Sequence, residues 1–319
     1  MFCYAGNMGE NMILSDSGEY FAVYTMRSGN GSGTMTMYRV FDGIYVLYNE
    51  FKMSDCVSYF QPTAEILCID HCRSGRIEWE TKDGKFLYVE SGDMQINNRH
   101  YHNCGFSFPL KEYYGVTVAF EIEKAQKILP NILEGFNADI NAISDKFCKN
   151  NSAFLMRASK RIEHIFSELY DLPEDIRLSY CKIKVLELLL FLGSPEISAK
   201  PEKRIYYAKS NVIKVKAAAE FVSQNPSEKI TIEQLAEKFN MSPTAFKSCF
   251  KGVFGETVYS FIKSFRMNLA EAMLRNTDKS VMEIASEVGY ENAGKFSAAF
   301  RSVFGTTPLA YRKSNVRLD

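Results

Sequence analysis

A duplication near the C-terminal end restricts the fold of this chain more tightly than any other feature. One copy reads TIEQLAEKFNMSPTAFKSCFKGVFGETV and the other SVMEIASEVGYENAGKFSAAFRSVFGTTP. Leu235-Ala236 corresponds to Ile284-Ala285, and Phe239 to Val288, at an offset of 49 residues. Phe246, Phe250, Phe254 and Gly255 correspond to Phe296, Phe300, Phe304 and Gly305 at an offset of 50. The extra residue falls between the matched blocks, where a turn tolerates an insertion. Such self-similarity predicts one supersecondary unit used twice.

Each copy predicts a helix, a tight turn and a second helix, spanning about 230–254 and 280–304. Thr231 with Gln234, and Ser280 with Glu283, have the spacing of capping boxes. Asn240 and Gly289 suit the left-handed residue that ends a first helix. Ser242-Pro243 supplies an N-cap followed by proline at the first helical position. In the second helices Phe246, Cys249, Phe250 and Val253 share one face, as do Phe296, Ala299, Phe300 and Val303; both sets are predicted to be buried. The opposite faces carry Thr244, Lys247, Ser248 and Lys251 in the first copy. In the second copy they carry Asn292, Ala293, Lys295, Ser297, Ala298 and Arg301. A polar, basic helix face without acids fits the major groove of DNA. Val258 to Arg275 is long enough for a connecting helix of about 27 Å, which places two such faces about one DNA turn apart.

The formal net charge is zero, which argues against a polyanion as partner until the chain is divided. Residues 203–319 hold 18 Lys/Arg against 11 Asp/Glu, whereas the rest holds 20 against 27. A basic module joined to an acidic one suits a chain that meets phosphate at one end only. No apolar run reaches membrane-spanning length, since Val185 to Leu192 is short and carries Glu187. The first fifteen residues lack Lys and Arg, so no secretory leader is expected. Eight cysteines without a framework spacing suit reduced thiols and a cytoplasmic location.

Upstream of the repeat the pattern changes twice. Residues 1–120 read as short strands, among them YRVFDGIYVLYNEF, EILCIDHC, GRIEWET and KFLYVE, and predict a β-barrel or sandwich. Residues 121–203 turn helical, with one stripe through Ile162, Ile165, Phe166 and Leu169 and another begun by Ile183, Leu186 and Leu190. This region is expected to cap the barrel or link the halves, and its stripe from Ile162 to Leu169 with KIKVLELLLFL to pair with a second subunit. Gly193 to Lys203, with Pro195 and Pro201, reads as a linker, and residues 204–319 form the all-α module. The whole is an α+β multidomain chain.

The C-terminal residues resemble the AraC/XylS family of bacterial regulators, over roughly Val212 to Ser314. The second copy carries most of the resemblance, in IASEVGY and in F-x3-F-R-x2-F-G-T-T-P308-x2-Y311-R312. The resemblance implies a bipartite domain on two adjacent major grooves of double-stranded DNA. It places base-reading positions on Thr244, Lys247 and Ser248, and on Ala293, Gly294, Lys295, Ser297 and Ala298. It further implies transcription activation, a homodimer and RNA polymerase as a partner. Ala293, Gly294 and Ala298 offer base edges no side-chain hydrogen bond, and Gly294 costs its helix about 1 kcal/mol relative to Ala. The first unit is therefore expected to carry most of the base readout, with Lys247 as the leading contact to guanine.

In the N-terminal half, Ser74-Gly75 has the form of a two-residue hairpin turn. That register puts Cys68, Asp70, Cys72, Ile77 and Trp79 on one face, lining a core or an effector pocket. It puts His71, Arg73, Arg76, Glu78 and Glu80 on the other, as an exposed ladder. HCRSGRIEWE and SGDMQINN are similar to the cupin-like sensor halves of AraC-type regulators, particularly those responding to siderophores. That similarity implies a small-molecule effector, siderophore-like or otherwise. His100-Tyr-His102, with Cys104 nearby, is an HxH spacing that a metal can use, but the acidic ligand usual in metal cupins is not placed downstream. The expectation is no metal, no cofactor and no enzyme. The alternatives are a cupin-type metalloenzyme with an accessory DNA-binding tail, and a regulator without effector. Cys68 and Cys72 are oxidant-sensor candidates or buried structural thiols.

Overall fold

Runs rich in Val, Ile, Tyr and Phe, broken at Asp42-Gly43 and Gly92-Asp93, form antiparallel strands across the N-terminal part. In this computed structural model residues 6–80, 84–99, 105–132, 134–149, 153–197 and 206–315 are described. The chain divides into two units, Met1–Tyr206 and Tyr207–Asp319. His100, His102 and Cys104 lie outside the described residues.

The strands of the first unit are β1 (Gly6–Asn7), β2 (Ile13–Ser17), β3 (Phe21–Ser28), β4 (Gly31–Phe41), β5 (Ile44–Met53), β6 (Asp55–Val57) and β7 (Gln61–Pro62). There follow β8 (Ile66–Gly75), β9 (Ile77–Glu80), β10 (Lys85–Val89), β11 (Met94–Asn98), β12 (Gly105–Ser107), β13 (Tyr113–Glu121) and β14 (Phe154–Met156). A large sheet runs in the order β14-β11-β8-β13-β5-β4-β3-β2, and a smaller one contains the order β10-β9-β12-β6. Among the described residues four α-helices accompany them, α1 (Ile122–Ile132), α2 (Ile140–Phe147), α3 (Lys160–Ser167) and α4 (Glu174–Gly193), with a 3-10 turn at Glu168–Asp171 between the last two.

Strand alternation sorts the large sheet into two buried faces. Val46, Ile69, Ile96, Val118 and Phe120 pack with Leu129, Ile143, Phe166 and Leu188 from the helices. Met37, Tyr45, Leu47 and Cys68 pack on the opposite side. The helices of the predicted 121–203 region therefore share a core with the sheet inside the first unit. Ile162, Ile165, Phe166 and Leu169 are buried as expected. On α4 the buried positions are Cys181, Val185, Leu188, Leu189 and Leu192; Ile183 and Leu190 face outward, 61% and 58% exposed.

Two expectations about β8 and β9 are corrected. Ser74-Gly75 is not a hairpin turn: β8 takes β11 and β13 as partners in the large sheet. β9, displaced from that ladder, pairs with β10 and β12 in the small sheet. Nor is there an exposed charged ladder, because His71, Arg76 and Glu78 are buried. Their charges and dipoles are met locally. Glu78 accepts a hydrogen bond from the Tyr88 hydroxyl at 2.6 Å, and Arg76 pairs with Glu90 at 3.0 Å while lying over the Tyr88 ring.

His71 is covered by α3 and the turn after it. Its ring stacks on Phe166 with centroids 4.4 Å apart, and its Nδ1 is 2.7 Å from the Tyr170 hydroxyl. Burial lowers its pKa from 6.5 to about 4. Above pH 6.5 neither folded nor unfolded chain holds this proton, so the full stability is present. As pH falls towards 4 the unfolded chain takes up a proton that the folded unit refuses. The first unit is expected to lose about 3 kcal/mol from this group over that window. Urea midpoints at pH 7 and pH 4.5 check it: the fall should shrink clearly in His71→Phe, and an equal fall in both proteins contradicts the assignment.

Candidate nucleic-acid interface

The described residues of the C-terminal unit from Lys209 onward form α5 (Lys209–Gln224), α6 (Ile232–Lys238), α7 (Pro243–Phe254), α8 (Val258–Asn276), α9 (Val281–Glu287), α10 (Ala293–Phe304) and α11 (Pro308–Asn315), joined by turns and short loops. Both capping boxes form. Thr231 caps α6 with Gln234 returning the bond, and Ser280 caps α9 with Glu283 doing the same. Asn240 and Gly289 take positive φ, 51° and 80°, and turn the chain into the second helix of each pair. Ser242 accepts from the Ala245 amide at the start of α7. The equivalent cap on α10 is Asn292, whose Oδ1 accepts from Gly294 and Lys295 at 2.8 and 3.0 Å. The side-chain oxygen of this predicted DNA-facing residue is thus committed to its own helix.

Phenylalanine rows lock each pair. Phe250 lies 5.7 Å from Phe246, 4.6 Å from Phe254 and 5.3 Å from Phe261 between ring centroids. Phe300 repeats the pattern at 6.0 Å from Phe296, 4.6 Å from Phe304 and 5.6 Å from Tyr311. Phe261 and Tyr311 are therefore also a repeated pair, and the caps Thr257 and Thr307 extend the duplication into α8 and α11. The sequence reading stopped short of this because helices α8 and α11 differ in length and Phe has become Tyr.

Two predicted core positions of the second pair are corrected: Ala299 is only half-buried, and Val303 lies further out. Val253 is buried, but its counterpart Val303 is 39% exposed. The copies have different neighbours: α5 packs on α7, and a Cβ on Gly252 would come within 2.1 Å of the Tyr207 ring. Position 302 is serine, and no such close cover reaches Val303.

The outward faces match the expected pattern in the first copy. Thr244, Lys247, Ser248 and Lys251, spaced i, i+3, i+4, i+7, are all exposed on α7. Lys247 Nζ rests 3.1 Å from Glu233 Oε1, with both side chains more than half exposed. A surface pair of this kind is worth less than about 1 kcal/mol, so the ammonium is free to exchange that partner for a phosphate or a base. The Glu233 carboxyl is held below its usual range by a backbone hydrogen bond first and by Lys247 second. On α10, Ala293, Gly294, Lys295, Ala298 and Arg301 are exposed and Ser297 is half-buried. At the positions matching Lys247 and Ser248 stand Ser297 and Ala298, so this face carries less hydrogen-bonding capacity.

The connecting helix α8 has 19 residues, about 28 Å at 1.5 Å per residue. Met267, Ala270 and Leu274 from α8 enter the core of the second pair. Arg266 Nη2 donates to the Glu228 carbonyl at 2.8 Å, tying α8 to the loop before the first pair. Lys214 Nζ donates to the Asn240 carbonyl at 2.9 Å, bracing the turn. With Phe261 packed on Phe250 and Phe254 at one part of α8 and Met267, Ala270 and Leu274 in the second core at another, the helix ties the two pairs together, as recognition of a regular duplex requires.

The first unit holds a second candidate site, a cavity of about 110 Å³ reached by side chains of both sheets, with Ile77 and Trp79 on its wall. Cys68 and Cys72, predicted to line it, are fully buried beside it instead. Burial pushes both thiols up to about 12, which makes them poor oxidant sensors. Sequence reasoning missed Asn49, Gln95, Arg99 and Thr117, which also line the cavity. They come from β5, β13 and the β11 end, and only the sheet register brings them to Asp70.

Among known proteins, a family model described as a helix-turn-helix domain matches residues 235–314. The melibiose operon regulatory protein of Escherichia coli (strain K12) is 30% identical over 93 residues, 29% of this chain and 31% of its own length. The bifunctional transcriptional activator/DNA repair enzyme AdaA of Bacillus subtilis is 34% identical over 94 residues, 30% of this chain and 44% of its own. The XylDLEGF operon transcriptional activator 2 of Pseudomonas putida is 32% identical over 92 residues, 28% of this chain and 59% of its own. The chain thus spans about a third of the length of the melibiose regulator it matches. The capped, duplicated helix pairs and these matches together make residues 235–314 a helix-turn-helix domain, similar to those of AraC/XylS-type regulators.

Proposed function

We propose that this chain is a sequence-specific DNA-binding transcription regulator that acts as an activator in the cytoplasm. One observation carries the reading: two capped helices in tandem bury their phenylalanines and turn acid-free faces to solvent. Lys247 reads a base with Thr244 and Ser248 beside it, while Lys251, Lys295 and Arg301 hold phosphates. The first unit binds a small effector that changes the affinity for DNA through differential binding to two states. A second copy of the chain pairs along α4, where the outward Ile176, Ile183 and Leu190 recur every seven residues. RNA polymerase is the partner that such an activator serves.

Titration of an operator fragment against the full chain and against point variants tests this. Lys247→Ala is expected to weaken specific binding about 10- to 100-fold and to relax the preference at one base pair. Lys295→Ala is expected to weaken all sequences alike and to reduce the salt slope by about 1. Specific binding that survives removal of residues 207–319 overturns the reading.

A further inference from the structure

The cavity of the first unit has a chemical character that its shape alone does not convey. Alternation along the strands aims Asn49, Asp70, Gln95 and Thr117 away from the helices, because their neighbours Ile69, Ile96, Val116 and Val118 belong to the helix-side core. All four line the cavity. The one negative charge among them is already satisfied. Asp70 accepts from Thr117 Oγ1 at 2.7 Å, from Arg99 Nη2 at 2.7 Å and from Asn97 Nδ2 at 2.8 Å. Its ion pair with Arg99 also neutralises the one cation on the cavity wall among the described residues.

What remains open is uncharged. Gln95 is 6% exposed, and its side-chain amide has no hydrogen-bond partner among the described residues. Asn49, equally buried, donates Nδ2 to Thr117 Oγ1 at 2.9 Å and leaves its Oδ1 without one. Two buried amides thus present a donor and acceptors, beside Asn11 Oδ1 and Trp79 Nε1, which also lack partners among the described residues, to a space walled mostly by methionine, aromatic and aliphatic side chains. Polar groups that face a largely apolar space without protein partners are costly to desolvate, and a ligand that pairs with them avoids that cost. A charged ligand would lose its hydration and meet no free counter-charge.

Resting on the reading of this unit as an effector sensor, we propose that the cavity takes a neutral, ring-sized apolar molecule bearing one amide, carbonyl or hydroxyl group, held by Gln95 and Asn49. The size follows from the volume: about 110 Å³ is somewhat below the roughly 150 Å³ of an engineered apolar cavity that accepts benzene. Met12, Met26 and Met35 on the wall can repack around a slightly larger ring. A bulkier chelate of the siderophore type needs a much larger space.

The chain contains a single tryptophan, Trp79, and it stands on the cavity wall. Its fluorescence therefore reports occupancy in the full chain without a label. Benzamide, benzoate and benzylammonium share one ring and differ in head-group charge. Titrated separately, benzamide is expected to shift Trp79 emission saturably, with a Kd at least 10-fold lower than either ion. Gln95→Leu should abolish that preference, and Gln95→Glu should transfer it to benzylammonium; the melting temperature of each variant shows that the unit is folded. Benzoate or benzylammonium binding as tightly as benzamide to the unaltered chain overturns the proposal, as does the absence of a saturable change with all three. Benzamide binding that leaves operator affinity unchanged upholds the ligand chemistry and removes only the regulatory reading of the site.

Discussion

Phe250→Ala is expected to destabilise the C-terminal unit by about 3–5 kcal/mol, the range for removing a buried aromatic side chain. Phe250 is 1% exposed and touches rings on both sides along α7 and across to Phe261 of α8. Its neighbours are held by their own helices, so the space left behind cannot collapse fully. A total stability of about 5–15 kcal/mol leaves little margin for such a loss. Phe300→Ala should behave alike in the second pair, since Phe300 is fully buried against Phe304 and Tyr311. Val303→Ala, at the exposed counterpart of Val253, should stay within about 0.5 kcal/mol. Urea unfolding followed by circular dichroism checks all three, and a Phe250→Ala loss below 1 kcal/mol contradicts the packing described.

In the first unit, Asp70→Ala is expected to cost about 3 kcal/mol. The substitution removes one carboxylate that answers three donors, leaving the Arg99 guanidinium largely buried beside a hole. Breaking such a pair from one side costs more than removing both members, because the survivor keeps its desolvation penalty. Arg99→Ala together with Asp70→Ala should therefore cost clearly less than the two single losses added. Trp79 fluorescence during urea unfolding reads the three proteins on one scale. Strict additivity would show that the two groups act independently.

The C-terminal unit was largely legible in the sequence because its determinants are local. Capping boxes, the Asn240 and Gly289 turns and the phenylalanine spacing act within four residues of one another. What escaped there depended on neighbours: Asn292 works as a cap, Lys247 has Glu233 beside it, and Val303 lacks the cover that Tyr207 and α5 give the first pair. The first unit was legible as strands but not as a topology. Ser74-Gly75 reads as a hairpin until β11 and β13 compete for β8, a choice made by residues 19 or more positions away. The same long-range register assembles Asn49, Asp70, Gln95 and Thr117. No local spacing connects Asp70 to the other three, which is why Asn49, Gln95 and Thr117 went unseen while Asp70, Ile77 and Trp79 were found on the pocket face.

Hydroxyl-radical footprinting of an operator fragment by the full chain tests most directly whether the braced helix pairs enter successive grooves. Per protomer, two protected patches centred about one helical turn apart on one face of the duplex are expected, with Lys247→Ala weakening the first patch more than Lys295→Ala weakens the second. A single patch per protomer, or two patches on opposite faces, would contradict the claim that α7 and α10 read DNA together.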